Sequence, residues 1–433
     1  MSFITDKQTL DDLGLLGKFK QHSVFSIFNK VKTAGGERLL SQWFHEPLSD
    51  VQAINVRSAI FQYFHLADLR FPYDSASFAV VENYMNSVGA GNAVASFAGI
   101  AMKKLAGAFL HDEQYKLLQA SLLATIDALL ALKKLVGMVR IPLVEQARRI
   151  LDDKRLQWLR EAGNGGLSMI STARFDNLLR NTLRNEMEIL LDTICQLDVY
   201  MAVSAIAREQ GFAYAEALPF EKNVFETTAL RHPGLSNGVA NPLSLNGSMN
   251  MVFLTGANMA GKSTLMKSFG IALYLGHMGF PVAAAGMRFS VRDGLYTSIN
   301  VPDNLNMGYS HFYAEVLRVK NVAQEVSSGK KLVVIFDELF KGTNVKDAYD
   351  ATLSVTAAFA KYRNCFFIIS THIIEVGEAL RSNHNNLRFA YLPTVMEGAI
   401  PRYTYRLTEG ITNDRHGMII IENEKILDII NES

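Results

Sequence analysis

"TGANMAGKST", residues 255–264, decides the reading of this chain. It carries the pattern G-x-x-x-x-G-K-[ST], from Gly256 through Gly261 to Lys262 and Ser263. In such a phosphate loop (P-loop), successive backbone N–H groups point at phosphate oxygens. Glycine is needed where the chain turns tightly or approaches the ligand. The lysine adds a point charge near the β and γ phosphates of a nucleotide, and the serine hydroxyl joins the shell of a magnesium ion. The flanks agree. "MNMVFLT" (249–255) reads as a short buried strand and "STLMKSFGIALYLGHMG" (263–279) as a helix, so that the phosphates sit on a helix N-terminus. Gly256, Ala257, Asn258, Met259, Ala260, Gly261, Lys262, Ser263 and Thr264 are the expected nucleotide-binding residues.

Hydrolysis needs more than binding, and "LVVIFDE" supplies two carboxylates at the end of an apolar run. Asp337, with Ser263, would order Mg²⁺ or its waters, and Glu338 would position and polarise the attacking water. "FFIISTH" puts His372 just past another strand, where it could hydrogen-bond the γ-phosphate; a lone histidine at a strand end is more often structural. Thr343 and Asp347 follow the base closely, in a loop that could carry nucleotide state to a neighbouring subunit. "MVFLT", "KLVVIFDE" and "CFFIISTH" all read as buried parallel strands with catalytic residue types at their carboxyl ends, where open α/β sheets bind ligands.

The rest of the chain sets limits. With 433 residues, 49% hydrophobic and 20% charged, it is long enough for two or three globular domains. A formal net charge of +1 means that any nucleic-acid surface must be a local patch. Cys195 and Cys365 lack the paired spacing of zinc sites and read as buried thiols in a reducing cytoplasm. "MSFITDKQTLDDLG" lacks the apolar core of a signal peptide. The window "SLLATIDALLALKKLVGMV" carries Asp127, Lys133 and Lys134, which argue against a membrane span.

Before the α/β region the periodicity is helical. Leu118, Leu122, Ile126, Leu129 and Leu130 share one helix face. Phe175, Leu179, Leu183, Met187, Leu190, Ile194, Leu197 and Met201 step by fours and threes, which predicts a helix over 174–209, roughly 50 Å long at about 1.5 Å per residue. Gly163, Gly165 and Gly166 break the chain between them, giving a long antiparallel helical pair, or an ordinary bundle. The expected division is an all-α core and lever domain over 1–220 and an α/β P-loop domain over 221–433.

Taken together these segments resemble the MutS family, the DNA mismatch-repair ATPases of the ABC superclass. "TGANMAGKST" is similar to the family's T-G-P-N-M-G-G-K-S-T, with Ala257 and Ala260 as departures. "DELFKGTNVKDAYD" resembles D-E-I-G-R-G-T-S-T-x-D-G, and "STHIIEV" resembles A-T-H-Y-x-E-L. "LRHPGL" followed by "ANPLSL" resembles the opening of the family's ATPase domain, which implies a nucleotide-side role for Asn241. "VPDNLNMGYSHFYAEV" matches the stretch whose serine, here Ser310, family dimers present to the γ-phosphate across the interface. "TLDDLGL" and "VKTAGGERLLSQWFHEPLSD" resemble the start of the family's helical core. The resemblance implies an ABC-type ATPase domain and a homodimer with two composite sites for ATP and Mg²⁺. It also implies long helices that grip DNA when the dimer closes, and a possible repair-protein partner.

Departures from the family qualify those expectations. The chain starts where the family core starts, leaving no room for the mismatch-recognition domain and its Phe-x-Glu wedge. Phe44-His45-Glu46 falls inside the core-like segment and is not that wedge. The lever region is short for a DNA clamp. Gly238 stands where the family places an aromatic against the adenine. The expected function is thus a DNA-directed ATPase that does not read mismatches itself. The alternative is an ATP-driven switch or scaffold acting on a protein. A transporter ATPase is weakened because "SSGKK" lies too close to "VVIFDE" to serve as an LSGGQ-like signature.

Overall fold

The apolar runs of the C-terminal half form the centre of a parallel sheet in the computed structural model, which describes residues 3–17, 23–87, 109–159, 167–257, 259–299, 311–397, 400–412 and 429–430. The strands are β1 (Ala213–Leu218), β2 (Val224–Leu230), β3 (Asn241–Asn246), β4 (Met251–Thr255), β5 (Pro281–Val282), β6 (Gly286–Ser290), β7 (Gly294–Ser298), β8 (Leu332–Asp337), β9 (Phe366–Ser370), β10 (Leu387–Tyr391), β11 (Thr394–Glu397), β12 (Ile400–Tyr403) and β13 (Thr408–Glu409). The helices are α1 (Lys7–Asp12), α2 (Val24–Phe28), α3 (Ala34–His45), α4 (Val51–Ala67), α5 (Ser75–Asn86), α6 (Phe109–Met138), α7 (Glu145–Leu151), α8 (Met169–Asn177), α9 (Arg184–Gln210), α10 (Lys262–His277), α11 (His311–Ser327), α12 (Val345–Phe359) and α13 (Ile374–Arg381).

Two compact units divide the chain: Met1–Phe28, Trp43–Gln62 and Ile206–Ser433 form one, and Asn29–Gln42 and Tyr63–Ala205 the other. The division is interleaved, not a single cut near residue 220, because aromatic residues of the first 62 positions belong to the α/β unit's core. The Phe280 ring lies 4.9 Å from Phe61, 5.6 Å from Phe28 and 5.6 Å from Phe44, centroid to centroid. Phe44 is fully buried there, a core aromatic at the end of α3, while His45 and Glu46 are exposed beside it.

Among the described residues, the main sheet of the α/β unit has the order β13-β10-β4-β9-β8-β7. Its strands from β10 to β7 are parallel and β13 is antiparallel at one edge. β4, β7 and β9 are buried at every position, as expected for strands covered on both faces. A second, mixed sheet runs β3-β2-β6-β1-β5, and β11 pairs with β12 as a hairpin. α10 contacts β8 of the first sheet and β1 and β5 of the second, which explains why it is buried nearly all round. Gly270 makes this possible: a Cβ there would lie 2.9 Å from Leu13 and 3.1 Å from Ile335.

The helical unit carries the predicted apolar faces on differently cut helices. Leu122, Ile126 and Leu129 are buried on α6, as are Leu179, Leu183, Met187, Leu190, Ile194, Leu197 and Met201 in the second pattern. That second pattern is not one helix. α8 ends at Asn177, a π-turn covers Leu178–Thr182, and α9 begins at Arg184. The break coincides with a buried polar node, in which Asp176 takes two hydrogen bonds from Arg180, at 2.8 and 3.0 Å, and one from the Tyr84 hydroxyl at 2.8 Å. Leu183 N then bonds back to Leu178 O at 2.8 Å, the spacing of a π-turn. The short helix α7 also intervenes between α6 and α8, so a simple antiparallel pair does not describe the region; Gly163, Gly165 and Gly166 lie outside the described residues. By length and composition α9, not the window around Asp127, could cross a membrane, and 61% of its most apolar stretch is buried in the fold.

Candidate functional site

A cavity of about 660 Å³ opens at the carboxyl end of β4, where the chain turns into α10. Gly256 (φ 144°), Met259 (φ 68°) and Gly261 (φ 101°) give this turn three left-handed residues. Glycine serves at Gly261 for a second reason: a Cβ would lie 3.0 Å from the Tyr405 ring. Ala260 is buried, whereas Met259 projects outward. Lys262 starts α10 and is 5% exposed. Its ammonium donates to Gly256 O at 2.7 Å and Ala257 O at 3.1 Å. Burial lowers its pKa, and Glu338 and Asp337 pull it partly back.

β8 delivers the carboxylates. Ser263 Oγ donates to Asp337 Oδ2 at 2.5 Å, and Ser370 Oγ, from the neighbouring β9, donates to Asp337 Oδ1. The sheet register dictates the second contact, because Asp337 and Ser370 are paired residues. Just beyond the strand Glu338 turns left-handed (φ 51°), its N–H donating to Ser370 O at 3.0 Å, and lines the same cavity as Lys262 and Ser263. That conformation is disfavoured for a residue with a Cβ. Asp337 and Ser263 present hard oxygens side by side, a donor set suited to Mg²⁺ with its waters. Among the described residues no group of three or more His, Cys, Asp or Glu side chains could hold a metal.

Of the residues expected from sequence, Ala257, Met259, Gly261, Lys262, Ser263, Thr264, Asn241 and Glu338 line the cavity. Gly256 and Ala260 shape the turn behind it. His372 is exposed and outside the lining, and Asn258 and Ser310 lie outside the described residues. Asn241 is committed to the chain: its amide donates to Tyr405 O at 2.9 Å and accepts from Leu407 N at 2.7 Å. It therefore positions Tyr405 at the wall of the cavity. Asp347 pairs with Asn344, the cap of α12, accepting from its amide at 2.6 Å.

Tyr405 and His232 were not singled out from the sequence. Tyr405 sits in the left-handed region (φ 55°), 44% exposed, and supplies an aromatic wall that Gly238 does not. Gly238 closes a turn on Leu235, and a Cβ there would lie 3.3 Å from that residue's Cβ. His232 Nδ1 accepts from Gly234 N at 3.2 Å, and burial, with Lys267 nearby, lowers its pKa. The neutral ring thus carries its proton on Nε2.

The helical region and the α/β unit, with its cavity at strand carboxyl ends beside a helix N-terminus, place the chain among α/β proteins joined to a helical domain. Comparison with known proteins gives the family. Residues 252–432 match MutS domain V and residues 8–204 match MutS domain III. The DNA mismatch repair protein MutS of Anaplasma phagocytophilum (strain HZ) is 26% identical over 230 residues, 52% of this chain and 27% of that protein. The DNA mismatch repair protein MutS of Lactococcus lactis subsp. cremoris (strain SK11) is 25% identical over 238 residues, 54% of this chain and 28% of that protein. The chain belongs to the MutS family, and its match spans just over a quarter of the length of these relatives.

Proposed function

We propose that this chain is a MutS-type ATPase in which ATP binding and hydrolysis drive closure of a homodimer and a grip on DNA. The observation that carries this reading is the convergence of Lys262, Ser263, Asp337 and Glu338 at one helix N-terminus, three of them lining one cavity and the fourth bonded to Ser263. A triphosphate there would take the Lys262 ammonium from the loop carbonyls of Gly256 and Ala257. The N–H groups at the start of α10 and the Lys262 charge favour the same anion. Ser263 and Asp337 would hold Mg²⁺, which supplies charge neutralisation of the phosphates when bound. Glu338 would accept a proton from the attacking water. Tyr405 would stack on the base in place of the aromatic absent at Gly238, His232 would offer its Nε2–H, and Ser310 would act across the dimer. His372, outside the cavity lining, would reach the γ-phosphate from just past β9, a role that rests on its place in the sequence and on the resemblance. The protein would work in the cytoplasm.

Steady-state ATP hydrolysis, alone and with homoduplex, mismatched, branched and single-stranded DNA, tests the reading, with Glu338→Ala as the blank. Stimulation by one DNA form supports it. Turnover indifferent to every DNA supports the protein-directed switch, and absence of Glu338-dependent turnover overturns both. Mixed dimers of Ser310→Ala and Lys262→Ala subunits separate action in trans from action in cis.

A further inference from the structure

β7 is an edge strand of the main sheet, and along such an edge every second N–H group lacks a strand partner. On β7 and just past it those groups belong to Leu295, Thr297 and Ile299, and the N-terminal segment takes all three. Leu295 N donates to Ile4 O at 2.9 Å, Thr297 N to Thr9 Oγ1 at 3.0 Å and Ile299 N to Asp12 Oδ2 at 2.9 Å. Asp6 caps α1, and with Thr9 and Asp12 it is spaced by threes, so the three side chains share one face. Asp12 Oδ2 also accepts from Thr297 Oγ1 at 2.7 Å, and Thr9 and Asp12 are both buried. Asp6 reaches a different element. It pairs with Arg318 of α11, whose guanidinium also donates to Thr9 Oγ1 at 3.3 Å and to Thr297 O at 2.6 Å.

These bonds do more than cover an edge. Ile299 is the last described residue before 300–310, the stretch that carries Ser310 and lies outside the described residues, and α11 begins at His311. One short helix thus holds the chain on both sides of that stretch: at Ile299 through Asp12 and, two turns into α11, at Arg318 through Asp6 and Thr9. We propose that α1 positions Ser310 for the ATP site of the partner subunit, with Asp12 setting where the chain leaves the sheet. The assignment rests on the reading of Ser310 as acting across the dimer, and it gives that residue an anchor. Asp12 is outside the lining of the ATP cavity, so it is a positioning residue whose effect falls on the other subunit's site. A reacting group misplaced by about an ångström through a remote change loses on the order of a hundredfold in rate. The subunit's own Lys262, Asp337 and Glu338 are held by Gly256, Ala257, Ser263 and Ser370, in contacts that involve none of the α1 residues.

The test uses dimers of the whole chain with a single working P-loop, made by mixing differently tagged subunits of which one carries Lys262→Ala. The remaining active site then takes Ser310 from the Lys262→Ala subunit. Asp12→Ala in that same subunit should lower steady-state ATP turnover roughly tenfold to a hundredfold. Moved to the other subunit it should cost far less, an asymmetry that general destabilisation does not produce. Asp12→Asn should restore turnover, because both bonds end on Oδ2 and an amide oxygen can accept them. Thr9→Val deletes the Thr297 and Arg318 contacts with little change of shape; it should show the same asymmetry and replaces Asp12→Ala if that variant does not fold. Ser310→Ala, placed in the Lys262→Ala subunit, is the control. If it lowers turnover while the α1 substitutions act equally from either subunit, or from neither, the assignment to α1 falls and the composite site stands. If Ser310→Ala has no effect there, or no mixed dimer forms, the composite-site reading falls and the assignment with it.

Discussion

Ser263 and Asp337, 74 residues apart in sequence, share a 2.5 Å hydrogen bond between Oγ and Oδ2. The contact joins the first turn of α10 to the end of β8, and Asp337 is fixed from its other side by Ser370. With one oxygen held by each serine, the carboxylate has little freedom to swing away from the cavity.

Ser370 is therefore expected to act on the metal through Asp337. Ser370→Ala leaves Asp337 Oδ1 without its serine, and the Mg²⁺ concentration for half-maximal turnover should rise tenfold to a hundredfold, on the order of other losses of a partner behind a metal ligand. The ATP-binding constant measured without Mg²⁺ should hold. A magnesium titration of turnover, beside a Mg²⁺-free nucleotide titration, reads both; an unchanged half-saturation point would remove the assigned role.

Glu338 is expected to affect chemistry and leave binding intact. Its left-handed backbone turns it into the cavity beside Lys262. Glu338→Gln keeps the shape and removes the base, so turnover should fall by about 10²–10⁴-fold. Equilibrium binding of a labelled ATP analogue should stay within a few-fold of wild type. Single-turnover hydrolysis and an analogue titration separate the two effects.

Much of this arrangement was legible in sequence because its signals are local. The loop pattern from Gly256 to Ser263 and the strand-ending Asp337–Glu338 pair are each contiguous. The buried, parallel character of β4, β8 and β9 was legible as well, from apolar runs that carry their polar residues at one end; their order in the sheet was not. What was not legible depends on distant chain. Tyr405 reaches the cavity through a left-handed backbone and the grip of Asn241, 164 residues away, neither of which leaves a periodic trace. The N-terminal residues gave no sign of joining the α/β unit, because Phe28, Phe44 and Phe61 read like any helix-face aromatics until Phe280 gathers them. The 174–209 seam had the right face, yet spacing by fours and threes is blind to one π-turn.

Tyr405 gives a test of base recognition. If its ring stacks on the base, Tyr405→Ala should weaken ATP binding by about 1–3 kcal/mol, roughly 5- to 150-fold. Inorganic tripolyphosphate, which has no base, should bind both forms alike, and Tyr405→Phe should behave as wild type. Competition titrations with the two ligands give the comparison. Equal losses for both would mean that the ring shapes the loop through Gly261 instead.

His277 predicts how the fold responds to acid. It is fully buried on α10, with Nδ1 bonded to Leu48 O at 2.8 Å, Nε2 accepting Arg292 N at 3.3 Å and the Phe3 ring 4.1 Å away. Nδ1 facing a carbonyl and Nε2 facing an N–H define a neutral ring with its proton on Nδ1. Burial pushes its pKa down to about 3, from 6.5, with the nearby Arg292 charge adding to the shift and the Leu48 carbonyl opposing it. Between those values the unfolded chain binds more protons than the folded one, so stability rises with pH there. The contribution is complete above about pH 6.5 and is lost as pH falls toward 3, by up to about 1.4 kcal/mol per pH unit. Chemical denaturation from pH 7 to pH 4.5 should show that slope, and His277→Leu, though less stable at pH 7, should flatten it. An unchanged slope in the variant would mean that other groups govern acid unfolding.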